Sequence, residues 1–255
     1  MKVSLFITCL GDSFYPRAGI AAVKVLRRLG CEVDFPAAQT CCGQPMHNNG
    51  YAGEARALAA RMIEVFAASE HVVTPSGSCA AMVRKVYPEL FEHDARMKAA
   101  AESLAARTFE FSEFLVKVLK VDLRALGVRW EGRATYHYSC HLRELGMTDE
   151  AEGLLGRIEG LEYVRLASPE ECCGFGGTFA THYEVISGAM VRDKVADIRA
   201  TGAPTVVCSE SGCGMNIEGA CRRQGCHLEF KSLAEIIAEG LGLLDRAGGA
   251  AERHA

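Results

Sequence analysis

The sequence predicts an α/β fold of two pseudo-symmetric lobes from a tandem duplication, each lobe a small parallel sheet flanked by helices. Three observations predict it. Cys9 and Cys140 are 131 residues apart, and Cys41-Cys42-Gly43 and Cys172-Cys173-Gly174 are separated by the same 131. A Cys, 31 intervening residues and Cys-Cys-Gly therefore occur twice with identical internal spacing. His71-Val-Val-Thr-Pro-Ser-Gly-Ser-Cys79 also aligns with Thr205-Val-Val-Cys-Ser-Glu-Ser-Gly-Cys213, at an offset of 134. Finally, each half alternates short β-branched runs with longer segments of helical period, the pattern of parallel strands joined by right-handed crossovers.

Taken in order, residues 3–9 read as the first strand, and residues 17–29 have a helical period that stops at Gly30. Residues 32–35 form a short strand, 52–68 a helix and 72–74 a strand, so that 1–88 make the first repeat. Residues 89–130 form a helical connector whose apolar face comes from Phe109-Glu-Phe111 and residues 114–119. The second repeat, 131–246, has strands at 134–139, 161–166 and 204–208 and a long helix at 183–200. It closes with a strand at 227–230 and a helix at 232–244. The Ala/Gly-rich residues 247–255 are expected to be a flexible tail.

This order places the repeated cysteines after parallel strands. Cys9 and Cys140 end the first strand of each half, the Cys-Cys-Gly motifs follow the second, and Cys79 and Cys213 follow the third. Open α/β sheets form their ligand crevice at the carboxyl ends of their strands. Four cysteines distant in sequence are thus expected to converge in each half.

Composition limits what the convergence means. The chain has 255 residues, 49% hydrophobic and 24% charged, with a formal charge of −4 and no block of like charge. An extended nucleic-acid footprint would need a clustered basic face, so no nucleic-acid partner is expected. No apolar stretch approaches a membrane span. The apolar run at the N-terminus is preceded by one Lys and ended by Gly11-Asp12 without a small-residue cleavage site, so it reads as a strand and not as a signal peptide. A cytoplasmic location follows, where thiols stay reduced and twelve cysteines point to metal binding or redox chemistry rather than to a disulfide framework. No GxGxxG follows the first strand, which argues against a nicotinamide or flavin site. No Ser–His–Asp arrangement stands out, and the catalytic residues are unassigned.

Four convergent thiolates have a short list of uses. Iron–sulfur clusters are held by cysteine thiolates, usually four. Zinc also accepts four, but its structural sites commonly use Cys-x₂₋₄-Cys pairs on one short loop. Adjacent Cys-Cys suits a larger cluster better than a compact tetrahedral ion. A metal-free thiol–disulfide oxidoreductase and a structural zinc protein stay open as alternatives. Gly43 and Gly174 free the backbone either to present N–H groups to an anionic cluster or to make a tight turn.

The strings Leu5-Phe-Ile-Thr-Cys9, Gly30-Cys-Glu-Val-Asp-Phe-Pro36, Cys41-Cys-Gly-Gln-Pro45, Pro75-Ser-Gly-Ser-Cys79, Ser139-Cys-His141, Cys172-Cys-Gly-Phe-Gly-Gly-Thr-Phe179 and Gly212-Cys-Gly-Met-Asn-Ile217 run from the first strand to about residue 220. Together they resemble the cysteine-rich CCG domain of heterodisulfide reductases and of the glycolate oxidase iron–sulfur subunit, and most closely the lactate-utilization protein A family. The resemblance implies an iron–sulfur redox subunit transferring electrons in the oxidation of L-lactate, a small 2-hydroxy acid, to pyruvate. Its implied partners are a ferredoxin-type iron–sulfur protein and a third subunit of the same lactate-utilization system. Carried over, the cluster ligands are Cys9, Cys41, Cys42 and Cys79 in one repeat and Cys140, Cys172, Cys173 and Cys213 in the other. One cluster per repeat is implied, with 4Fe-4S the expected type. The wider family often ends each motif in Cys-x-x-Cys; Met82 and Asn216 occupy that last place here, which favours a four-ligand site.

The remaining candidates are weaker. Cys31, Cys221 and Cys226 lack counterparts in the repeat and read as packing residues, while Cys208 reads as packing or as an extra ligand. His141 follows a ligand position and is a candidate donor to cluster or substrate. His137 alternates with Tyr136 and Tyr138 along a strand and reads as structural, and Arg143 as solvated charge rather than a carboxylate clamp.

Overall fold

The computed structural model describes residues 1–246, and the expected flexible tail at 247–255 lies outside the described residues. In the first half β1 (Lys2–Leu5) leads to α1 (Cys9–Phe14) and α2 (Pro16–Arg28), and β2 (Glu32–Asp34) to α3 (Gln44–Asn48) and α4 (Ala52–Val65). β3 (His71–Thr74) is followed by α5 (Gly77–Ala81), a π-helical turn at Met82–Val86, α6 (Tyr87–Leu90) and α7 (Ala95–Ala106). β4 (Thr108–Glu110) runs into α8 (Phe111–Glu113) and a second π-helical turn, Phe114–Val118.

The second half repeats the plan. β5 (Arg129–His137) leads to α9 (Cys140–Glu144) and α10 (Glu150–Leu155), and β6 (Glu159–Tyr163) to α11 (Phe179–His182) and α12 (Glu184–Ala200). β7 (Thr205–Cys208) leads to α13 (Ser211–Arg223), and β8 (Glu229–Lys231) to α14 (Leu233–Gly240). Each half builds a four-stranded, all-parallel sheet, in the orders β2-β1-β3-β4 and β6-β5-β7-β8. The two orders are the same order, as a duplication requires.

Two expectations are corrected. Residues 89–130, read as a helical connector, also carry β4, which pairs with β3 from Val72↔Thr108 to Thr74↔Glu110. Its three residues are too few to interrupt a helical pattern in the sequence. It is the counterpart of β8: Glu110 and Ser232 both cap the helix that follows, and Glu113 and Glu235 both stand at its third position. Cys9 and Cys140 also do not end strands. β1 stops at Leu5 and β5 at His137, and each cysteine is the first residue of the next helix.

Packing between the lobes follows a pseudo-twofold axis. α2 packs on α14 and α10 on α8, while α1 packs on α13 and α5 on α9. α2 begins with Pro16 and buries Ala18, Ala21, Ala22, Val25 and Leu26 on one stripe. A fully buried aliphatic side chain contributes about 1.5–3 kcal/mol, so this stripe outweighs the marginal stability of an isolated helix of that length. The stripe joins Trp130, Tyr136, Ile236 and Ile237 in a core shared by both lobes. Two smaller cores, around Phe66 and Tyr87 in one lobe and Val195 and Ile217 in the other, each include cysteines of the repeated motifs.

Candidate metal centres

Four sulfurs meet at the carboxyl edge of each sheet. In the first lobe Cys9 opens α1, where the Thr8 side chain caps the helix by accepting from the Gly11 N–H at 3.1 Å. Cys41 and Cys42 lie in the loop before α3, and Cys79 is the third residue of α5, its N–H donating to Ser76 Oγ at 3.3 Å. Cys9 Sγ donates to Cys41 Sγ at 3.8 Å, Cys79 Sγ to Cys42 Sγ at 3.3 Å, and the Gly43 N–H to Cys41 Sγ at 3.5 Å. In the second lobe Cys140 opens α9, Cys172 and Cys173 precede α11, and Cys213 is the third residue of α13. Cys140 and Cys173 donate to Cys172, Cys173 also to Cys213, and the Gly174 N–H to Cys172 Sγ at 3.3 Å. All eight cysteines expected from the sequence therefore fall into two tetrads.

At the Cys-Cys-Gly loop, protonation divides the same way in both. Hydrogen bonds from Cys42, then from Cys9 and the Gly43 N–H, hold Cys41 far below the ordinary thiol range. Cys172 is lowered likewise, by Cys140, then Cys173 and the Gly174 N–H. Donation to these sulfurs is the largest cause raising Cys9, Cys42, Cys140 and Cys173. Cys41 and Cys172 are thus preferred thiolates at equivalent positions, and in the second tetrad Cys213 is lowered as well, to about 6, first by the hydrogen bond it accepts from Cys173. Each tetrad also has a buried inner pair, Cys42 with Cys79 and Cys173 with Cys213, while Cys9 is exposed and Cys41, Cys140 and Cys172 are half-buried.

The Cys-Cys-Gly loops are held by two devices. Gly43 and Gly174 have φ of +87° and +78°, and a Cβ on Gly174 would stand 2.8 Å from the Ser187 carbonyl oxygen. The tight turn and the N–H donation to sulfur are thus one feature. The carbonyl of the inner cysteine is then tied down by a side chain: Tyr87 Oη donates to Cys42 O at 2.9 Å, and Asn216 Nδ2 to Cys173 O at 2.8 Å. Asn216 occupies the position where the wider family pattern has a cysteine, whereas Met82, its counterpart by repeat, is buried.

Around the tetrads, Gln44 Nε2 and His141 Nε2 are 3.1 Å apart, and His141 Nδ1 lies 3.7 Å from Cys140 Sγ. His141 therefore bridges the loop of one tetrad to a sulfur of the other. His137, read from the sequence as a strand residue, is buried with a ring nitrogen and the sulfurs of Cys173 and Cys213 within 4.8 Å of one another. The signal that could have found it was the repeat, since His137 stands 131 residues after Phe6. Cys208 donates to the Glu210 carbonyl at 3.1 Å. Cys31 and Cys221 are buried in the cores, with Cys226 packed half-buried against the latter. Arg143 pairs with Glu170 at 3.2 Å on the surface.

Each site offers four sulfur donors, one of them a preferred thiolate with a backbone N–H aimed at it. This donor set fits an iron–sulfur cluster. Among the described residues no helix is long and apolar enough to cross a membrane.

The cysteine-rich domain family CCG matches residues 3–84 and 134–218, one match per lobe. Lactate utilization protein A of a Geobacillus species is 47% identical over 238 residues, covering 93% of this chain and 99% of that protein. The protein of the same name from Halalkalibacterium halodurans is 48% identical, covering 93% and 96%. Among solved structures, allantoin racemase from Pseudomonas fluorescens aligns over 95% of this chain and 90% of its own, at 9% identity and a TM-score of 0.31, a likeness too low to bear on activity. With two CCG matches and close full-length relatives, the chain belongs to the lactate utilization protein A family of cysteine-rich CCG-domain proteins.

Proposed function

We propose that the chain is an iron–sulfur redox subunit that transfers electrons in the oxidation of L-lactate to pyruvate within a multi-protein lactate-utilization system. The observation that carries this reading is the pair of equivalent four-cysteine tetrads in a chain whose relatives are named for lactate utilization. Cys9, Cys41, Cys42 and Cys79 would hold one cluster and Cys140, Cys172, Cys173 and Cys213 the other, with 4Fe-4S the expected type. Clusters bound there supply one-electron storage. The chain's own part is to anchor them through the buried inner pairs and to leave the outer pairs near the surface, where a redox partner has access. A ferredoxin-type protein and a third subunit are the partners proposed, and the cytoplasm, with its reduced thiols, the compartment.

The test is a lactate-dependent change of the visible spectrum. The cluster-loaded chain, mixed without oxygen with the two partner proteins, should bleach on addition of L-lactate, and neither D-lactate nor omission of a partner should reproduce it. A loaded chain that keeps its spectrum in the complete mixture contradicts the redox role.

One observation favours a second reading. Tetrahedral zinc with Zn–S near 2.3 Å sets its sulfurs about 3.8 Å apart, and Cys9 and Cys41 are 3.8 Å apart. Metal analysis separates the two: zinc gives no visible absorbance and no acid-labile sulfide.

A further inference from the structure

The two tetrads share a frame but not their surroundings. Phe6 in the first repeat and His137 in the second occupy the same position, 131 residues apart. Both are fully buried, at 1% exposure. Phe6 packs in one apolar cluster with Cys42 and Cys79, the inner pair of its tetrad. His137 lies against Cys173 and Cys213, the inner pair of the other.

A buried imidazole ordinarily has a partner for each ring nitrogen, because leaving a polar group unpaired inside a protein costs on the order of 1–3 kcal/mol. Neither Nδ1 nor Nε2 of His137 has a hydrogen-bond partner in the structure. The sulfurs within 4.8 Å are near enough for an N–H···S contact to close by a small rotation of the ring. The same position is filled in the other repeat by a ring with no polar atom, so the frame does not need an imidazole for packing. What the imidazole adds is a donor.

We infer that His137 donates a hydrogen bond to the Cys213 thiolate and so places the reduction potential of the second cluster above that of the first. The inference rests on the iron–sulfur reading of the sites. Hydrogen bonds to a cluster's sulfurs stabilise the reduced, more negative state and raise its potential. The chain then holds two inequivalent centres. An electron arriving at the first runs downhill to the second, and Phe6 against His137 is the difference in side chain that sets the direction.

The experiment is an EPR-monitored redox titration of the full chain, loaded without oxygen, with iron and acid-labile sulfide counted on the same samples. The signal of the second cluster is the one lost in Cys173→Ser. Wild type should show two reduction steps, the upper belonging to that signal. His137→Phe, which installs the residue of the equivalent site, should keep iron and sulfide and move the upper step down toward the lower. His137→Gln retains an N–H donor and should recover part of the shift, and Phe6→His should raise the lower step. A titration in which His137→Phe leaves both steps in place overturns the inference while leaving the clusters standing. Loss of half the iron in His137→Phe overturns it too, since the ring would then hold the cluster rather than tune it. A wild-type chain that takes up no iron overturns both this inference and the reading of the sites.

Discussion

The Glu210 carboxylate accepts a hydrogen bond from the Ser76 hydroxyl at 2.9 Å, across the boundary between the two repeats. The same Oε2 accepts from the Ser78 backbone N–H at 2.9 Å. Ser76 and Glu210 are equivalent positions of the duplication, and each is the N-cap of the helix that carries the third cysteine motif of its own lobe. One carboxylate therefore ties the Cys79 helix to the Cys213 helix. Glu210→Ala leaves two buried donors short of an acceptor and should cost about 2–3 kcal/mol, read as a lower denaturant midpoint of the full chain. Glu210→Gln keeps one acceptor oxygen and should cost less. Equal losses in the two variants contradict this role.

Gly174 and Gly50 separate conformational strain from collision. Both have positive φ, but a Cβ on Gly50 meets open space, while one on Gly174 meets the Ser187 carbonyl oxygen at 2.8 Å. Gly50→Ala should lower stability by about 1 kcal/mol and leave metal content unchanged. Gly174→Ala must displace the loop carrying Cys172 and Cys173, and should lose the metal of the second site. Metal retained in full by Gly174→Ala would show that the loop tolerates the shift.

Tyr87→Phe removes the donor to the Cys42 carbonyl and keeps the ring that fills the core. The expected cost is about 1–2 kcal/mol, together with faster release of metal from the first site to a chelator. Asn216→Ala should do the same at the second site alone. Release at equal rates from both sites in either variant would rule out these tethers.

Glu110 gives a pH dependence with a definite sign. It caps α8 from a fully buried position, accepting from the backbone N–H groups of Ser112 and Glu113 at 2.7 and 3.2 Å and from the Ser112 hydroxyl. Desolvation raises its pKa from 4.5 to about 7 in spite of those bonds. The folded state thus binds the proton more tightly than the unfolded state. The stability this contributes is complete below pH 4.5 and is lost as pH rises through 7, on the order of 3 kcal/mol in all. Glu110→Gln, neutral throughout, should match wild type near pH 5 and exceed it at pH 8 in denaturant midpoint. A constant difference between the two proteins across that range contradicts the assignment.

Much of this was legible in the sequence because the duplication carries its own ruler. The offsets of 131 and 134 between the cysteine motifs foretold two lobes of one topology and the grouping of eight cysteines into two sets. What escaped was what lacks a local pattern. β4 is three residues long and embedded among helices, so only its pairing with β3 reveals it. The helical starts at Cys9 and Cys140 depend on where the parallel ladder runs out, which apolar runs do not mark. Tyr87 and Asn216 reach the two Cys-Cys-Gly loops from positions that are not equivalent in the repeat, so no internal alignment finds them. His137 hid within the alternation of a strand, where Tyr136 and Tyr138 made it look like one more pleat.

Iron and acid-labile sulfide per chain, with a visible spectrum, measured on protein prepared without oxygen, test the central claim most directly. Two clusters predict several irons with matching sulfide and a brown absorbance, each falling by half in Cys42→Ser or Cys173→Ser and to nothing in the double variant. A colourless chain that carries zinc, or that takes up no iron after anaerobic reconstitution, would contradict it.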